Sequence, residues 1–293
     1  MHKSSIYLPE GLKAELAGLA ARSGRSEAQL VRHAIERLLA GAGPQPRAGD
    51  TGASGYDRPS LVGVGVGPGD PGLVTRRAHA VLREADRVIV TTTDEYSVGR
   101  AEMVVRAVAP TTRIQRVPFT ISGDADARLR SLADLSEVVV AASDVGELVA
   151  VAVLGDPSQR TVFPDLADEV RRQRPALPVA TEPGIASYQA AAAGAGARLG
   201  VPGRALVVVD RVEDLDRHLT DGDAVVLYKA STDAASVQAI ARDHGRDDGV
   251  IAELAGMPGE RIVPVAEADD GPIAYLATVV FPSPGPSLVG RGS

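Results

Sequence analysis

Residues 61–90 read LVGVGVGPGDPGLVTRRAHAVLREADRVIV, and the order of patterns within them decides the fold. LVGVGV (61–66) is an apolar run of strand length that leads into a Gly-Pro-Gly turn, Gly67-Pro68-Gly69. VTRRAHAVLREA (74–85) has helical spacing, and DRVIVTT (86–92) is a second apolar strand. Alternation of strand and helix in this order argues for an α/β fold.

The alternation continues outward. VAVAVL (149–154) and LPVAT (177–181) predict strands, and EVVVAAS (137–143) reads as another. PDLADEVRRQ (164–173) and IASYQAAAAGAG (185–196) predict helices. The second half carries strand patterns near 205–209, 223–228, 249–253 and 275–281, and a helix over 233–244. The expected class is α/β, with no internal repeat of fixed period.

Composition narrows the functions open to the chain. Of 293 residues, none is Cys or Trp, so disulfides, thiolate metal sites and a cysteine nucleophile are excluded. The histidines at 2, 33, 79, 218 and 244 have no ligand spacing, so no metal site is expected. No signal peptide or membrane span is read, and a cytoplasmic location is expected. The net charge of −7 is uneven: residues 1–43 carry +2 and the remainder −9. A basic head on an acidic body implies two tasks, of which only the first suits nucleic acid.

In the head, KSSIYL (3–8) alternates like a strand and Pro9 ends it. Leu12, Leu16, Leu19 and Ala20 mark a helix that Gly24 stops; Ser26 and Gln29 form a capping-box signal for a second helix, which ends near Gly41 and Gly43. So short a unit cannot bury a core alone and is expected to dimerise. The pattern resembles the ribbon-helix-helix family, whose paired strands enter the DNA major groove. That resemblance implies that Lys3, Ser5 and Tyr7 face bases and that Arg25 and Ser26 hold a phosphate. A dimerisation arm that touches no DNA is the alternative. Residues 44–59, rich in Pro, Gly and Ala, read as a linker, and 283–293 as a disordered tail.

The glycine loop alone identifies little. It is not a dinucleotide fingerprint, because Pro68 and Asp70 stand where G-x-G-x-x-G needs its third glycine from Gly63 or Gly65. Its wording is more specific. Together with VLGDPSQRTVF (153–163), PGIASY (183–188), AVVLYKA (224–230), AELAGMPGERIV (252–263) and AYLATVV (274–280), it resembles the tetrapyrrole (corrin/porphyrin) methylases in the order of that family's motifs, over about residues 60–282. The Met-Pro-Gly-Glu-Arg-Ile stretch fits the branch that methylates precorrin-2 at C-20, on the path to cobalamin.

The resemblance implies a two-lobed α/β methylase, lobes 60–182 and 183–282, with S-adenosylmethionine between them and a homodimeric assembly. Gly67, Pro68 and Gly69 would line the cofactor site. Leu154, Gly155 and Asp156 would wrap the cofactor, Ala186 and Ser187 would follow at a helix start, and Tyr228 and Ala255 would close over the adenosyl group. A tetrapyrrole bearing many carboxylates calls for arginines, of which Arg160 and Arg116 lead, with Arg100 and Arg261 behind them. No catalytic acid or base is expected; His79 reads as a packing or surface residue and Asp70 as a helix cap. The chain departs from the family pattern at Arg160, Thr161 and Val162, and by Tyr228 for Met and Ala186 for Thr. These departures leave a second reading open: a regulator that senses S-adenosylmethionine or a tetrapyrrole through a degenerate methylase domain.

Overall fold

Every residue of β1 (Ser60–Gly65) is buried, as an apolar strand covered on both faces must be. The strand belongs to a computed structural model that describes residues 9–23, 26–32, 54–93, 98–120, 124–219, 223–228, 232–274 and 276–283. β1 pairs in parallel with β4 (Leu148–Val153) on one side and β5 (Val179–Glu182) on the other. β4 pairs with β2 (Arg87–Thr92), and β2 with β3 (Ile114–Pro118), again in parallel. The order across the sheet is β3-β2-β4-β1-β5.

The pleat divides the core into two layers. Val62, Val64, Val88, Val90, Ala150 and Ala152 pack with α3 (Arg76–Glu84) and α4 (Arg100–Val108). Leu61, Ile89, Val149, Val151 and Val153 pack with α5 (Ala125–Asp144) and α6 (Phe163–Gln173) on the other face. Gly63 belongs to this second face, and a Cβ there would fall on the ring of Phe163. This glycine therefore makes room for a packed aromatic rather than for a ligand.

The second sheet has the order β6-β7-β10-β8-β9. β6 (Leu206–Val209) and β7 (Ala224–Tyr228) are parallel. β10 (Thr278–Phe281) runs antiparallel to β7 and to β8 (Val250–Glu253), and β8 antiparallel to β9 (Arg261–Pro264). Val225, Leu227, Val279 and Phe281 pack under α8 (Val212–His218) and α9 (Ala234–Asp243). Val226, Tyr228, Ala252 and Val280 face α7 (Ser187–Ala195).

Most expected strands and helices occupy their places, but residues 137–143 lie inside α5 and are not a strand. Leu135, Val139 and Ala142 are buried at spacings of four and three, and Asp124 caps the helix through the N–H groups of Asp126 and Ala127. Helical burial and a good cap override the β preference of Val138, Val139 and Val140. α4, β3, α8 and β9 were not anticipated from the sequence. Among the described residues no helix is long and apolar enough to cross a membrane.

In the head, α1 (Glu10–Ser23) and a second helix, α2, described over 27–32, match the expected pattern. Gln29 N–H donates to Ser26 Oγ at 3.2 Å and Ser26 N–H to Gln29 Oε1 at 2.9 Å, which is the reciprocal capping box. Leu12 is half exposed and Leu16 and Leu19 are only partly covered. The expected strand 3–8, with Lys3, Ser5 and Tyr7, lies outside the described residues, as do Arg25 and 284–293.

The end of the linker is fastened to the body. Ser54 donates N–H and hydroxyl to Glu84, Tyr56 donates its hydroxyl to Glu182 Oε1 at 2.5 Å, and Arg58 Nε bonds Asp86 at 2.7 Å. Arg77 closes on the same Glu182 with a bond of 2.7 Å, and this carboxylate raises both the Arg77 guanidinium and, behind the effect of burial, the Tyr56 phenol.

Gly63→Ala is expected to destabilise the fold by about 1–3 kcal/mol, the usual cost of overpacking a well-filled core. Urea unfolding monitored by circular dichroism measures this; an unchanged midpoint would show that α6 moves aside for the methyl group.

Candidate functional site

β4, β1 and β5 are neighbours, and the loops that leave their C-terminal ends meet. This is where parallel α/β sheets place ligand crevices. Val66 N–H donates to Val153 O at 2.9 Å and Gly155 N–H to Gly67 O at 2.8 Å, so the loops after β1 and β4 form a short bridge. A Cβ on Gly65 would lie 2.5 Å from Gly155 O and 2.6 Å from Gly184 Cα. Only glycines let three backbones come this close. Gly155 also has φ +73°, in the left-handed region.

Asp156 locks the arrangement. Its Oδ2 accepts the Gly184 N–H at 3.0 Å and its Oδ1 the Ser158 N–H at 2.8 Å. The carboxylate expected to wrap the cofactor is thus engaged in holding two loops together. Asp70 corrects another expectation: it accepts from Gly72 N–H and caps the 3-10 turn Pro71–Leu73, while Thr75 caps α3 through Ala78 N–H. His79 packs, its Nε2 lying 3.0 Å from Val108 O.

The second lobe also meets the first around the loop after β1 and at Gly155. A Cβ on Gly69 would strike the Met257 side chain, and one on Gly256 would lie 2.8 Å from Pro68 Cγ. Tyr228, at the end of β7, brings its hydroxyl over Gly155, within 3.2 Å of where a Cβ would stand. Its ring meets Tyr188 edge-on, centroids 6.0 Å apart. Burial holds the Tyr228 phenol above its ordinary range, against a smaller opposing pull from Ser187, so it stays a neutral hydrogen-bonding group at physiological pH. Ser187 Oγ in turn lies 2.9 Å from Thr278 Oγ1.

Between these walls lies a cavity of about 660 Å³, within the roughly 300–1,000 Å³ typical of small-molecule sites. Pro68, Leu154, Gly155, Ser187, Tyr228 and Ala255 line it, so six of the ten residues expected at a cofactor converge on one space. Gly67 and Asp156 stand behind it and tie loops together, Gly69 packs on Met257, and Ala186 is buried against Tyr188 and Tyr228. The part of the wall made by Gly155, Pro68, Leu154 and Ala255 fits a nucleoside-bearing ligand, since it offers glycine backbone and apolar side chains.

The charged residues among the described lining are Arg100, Arg128, Arg160 and Asp210. Arg128, on α5, pairs with Asp165 at 2.9 Å; no motif marks it in the sequence. Arg160 has φ +50°, a left-handed backbone that costs a non-glycine residue about 1 kcal/mol or more, and its guanidinium pairs with Asp210. Arg116 does not line the cavity. It grips the fully buried Glu102 at 2.6 Å, with Arg106 as a second partner, and the Arg116 hydrogen bond is the main reason that this carboxyl lies below its ordinary range. Arg261 likewise pairs outside the cavity, with Glu253 and Asp269. Among the described residues no group of His, Asp and Glu could hold a metal ion. Of the expected DNA-facing residues, only Ser26 is described, and its side chain serves the capping box.

Known proteins share this architecture. The chain is 32% identical over 242 residues to the cobalamin biosynthesis protein CobIJ of Mycobacterium tuberculosis, covering 77% of this chain and 46% of that protein; it therefore spans about half the length of that relative. It is 28% identical over 242 residues to a precorrin-2 C(20)-methyltransferase of Sinorhizobium, covering 78% of this chain and 97% of the other. A 49-residue stretch, 17% of this chain, is 45% identical to antitoxin VapB26 of Mycobacterium tuberculosis, over 69% of its length. The X-ray structure of a cobalt precorrin-4 methyltransferase shares the fold, with a TM-score of 0.58 at 23% identity over 75% of this chain and 93% of that one. Residues 60–269 match the model of the Tetrapyrrole (Corrin/Porphyrin) Methylases, and the chain belongs to that family.

Proposed function

We propose that the body of this protein, with lobes 60–182 and 183–282, transfers a methyl group from S-adenosylmethionine to a carbon of a polycarboxylate tetrapyrrole, precorrin-2 at C-20 in cobalamin biosynthesis. The observation that carries this reading is the cavity: glycine backbone and apolar side chains on one part of its wall, and three arginines against one aspartate on the other. The body as a whole is strongly acidic, so a cationic cavity within it selects for an anionic ligand. The near-complete coverage of the Sinorhizobium precorrin-2 C(20)-methyltransferase supports the choice of substrate.

S-adenosylmethionine supplies a methyl already activated by its sulfonium. The chain's residues need only bind and align. Gly155 and Pro68 offer backbone that a nucleoside can approach closely, Tyr228 and Ser187 offer hydroxyls, and Leu154 and Ala255 offer apolar contact. Arg100, Arg128 and Arg160 hold carboxylates of the tetrapyrrole, which turns its electron-rich carbon toward the methyl. Alignment of this kind supplies roughly 7–11 kcal/mol of barrier reduction, so the reaction asks little of an acid or base.

The head gives the second reading, a regulator in which ligand binding to the body alters DNA binding by residues 1–43, with Lys3, Ser5, Tyr7, Arg25 and Ser26 at the DNA. Its support is the 49-residue likeness to an antitoxin and the Ser26–Gln29 cap that starts α2. A paired head would also make the protein a homodimer, covering the exposed Leu12 face.

Incubating fresh precorrin-2 anaerobically with the protein and S-adenosylmethionine should raise its mass by one CH2, a methyl replacing a hydrogen that leaves as a proton while S-adenosylhomocysteine is released. No gain, with S-adenosylmethionine bound in the same sample, would contradict the enzyme on that substrate and favour the regulator or a cobalt-containing tetrapyrrole. For the head, replacing Lys3 and Tyr7 together by Ala should abolish retention of the chain on DNA while leaving S-adenosylmethionine affinity unchanged; loss of both activities together would contradict a modular protein.

A further inference from the structure

One ion pair joins the two lobes across the cavity. Arg160 comes from the loop between β4 and α6, Asp210 directly follows β6, and Arg160 Nη1 donates to Asp210 Oδ2. Both residues line the cavity. The neighbouring pair on the same wall, Arg128–Asp165, stays within the first lobe, between α5 and α6. Asp210 is also the one acidic residue among the described lining.

The chemistry of the pair favours exchange. Its side chains are 38% and 44% exposed, and exposed ion pairs contribute little to stability. The guanidinium fork accepts any carboxylate with similar geometry. Asp210 holds the Arg160 guanidinium at the cavity wall. A carboxylate entering the cavity meets a cation already in position and displaces an acid that repels it.

We propose that Asp210 is a stand-in for a ligand carboxylate: it holds Arg160 and ties the lobes together, and a carboxylate of the incoming substrate takes its place. The inference rests on the reading of the cavity as a site for a polycarboxylate tetrapyrrole, and it makes Arg160 and Asp210 specificity-determining residues for that site. A ligand with no carboxylate at this position leaves the tie intact and gains nothing from Arg160. Asp210 therefore raises the threshold for weakly charged ligands.

A double-mutant cycle tests the exchange, with two probes bound to the full chain: uroporphyrin III, a polycarboxylate tetrapyrrole, followed by its fluorescence, and mellitate, a polycarboxylate that is not a tetrapyrrole, followed by calorimetry. Asp210→Asn should tighten binding by roughly two- to fivefold and Arg160→Gln should weaken it by a similar factor, the range of an exposed ion pair. In the Arg160→Gln background, Asp210→Asn should bring no gain. An equal gain in both backgrounds would show that Asp210 acts as a general repelling charge and would overturn the exchange, as would no gain in the single variant. If uroporphyrin fails to bind while mellitate shows the coupling, the exchange stands and the tetrapyrrole reading falls. Uroporphyrin binding without coupling leaves that reading standing and overturns the exchange, and failure of both probes to bind removes both.

Discussion

The close approach of Gly65, Gly155 and Gly184 is the constraint on which the site depends. Three loops leave three adjacent parallel strands, and each contributes a residue with no side chain at the point where they meet. The Gly67–Gly155 bridge and the Asp156–Gly184 hydrogen bond fix the contact. Part of the cavity wall hangs from this junction: Pro68 from one loop, Leu154 and Arg160 from the second, Ser187 just beyond the third. A side chain at Gly65 or Gly184 would collide with the facing backbone and push the loops apart, while Gly155 holds a φ of +73° that strains any other residue.

The second lobe completes the cavity through contacts that include Met257 on Gly69, Gly256 on Pro68, Tyr228 over Gly155 and Asp210 on Arg160. They fall on the same loops that the glycines bring together. The division of labour follows from chemistry: backbone and apolar groups gather at the junction, while the cations stand on α4, α5 and the β4–α6 loop. Under the proposed function, a nucleoside and a polyanion would meet different parts of one space.

Much of this was legible in the sequence because its signals are local. An apolar run entering glycines predicts a strand and a tight turn, and β1, α3 and β2 lie within one or two residues of the expected bounds. Leu154, Gly155, Ser187, Tyr228 and Ala255 could be placed at the site because motif wording carried them. The remainder depends on tertiary packing. EVVVAAS looks like a strand until the burial of Leu135, Val139 and Ala142 and the Asp124 cap decide for a helix. Gly63 looks like part of a ligand loop until Phe163 is seen against it. Which arginine faces the cavity is equally nonlocal: Arg116 is taken by Glu102, fourteen residues away, and Arg160 meets Asp210 fifty residues on. Charge composition predicts that cations are present but not where they point.

The central claim is that the glycine junction and the second lobe together form the site for the methyl donor. A crystal structure of the protein with S-adenosylhomocysteine tests it most directly. The account predicts the nucleoside in the interlobe cavity, in contact with Gly155, Tyr228 and Ala255. A nucleoside bound elsewhere, or a cavity left empty at saturating ligand, would contradict it.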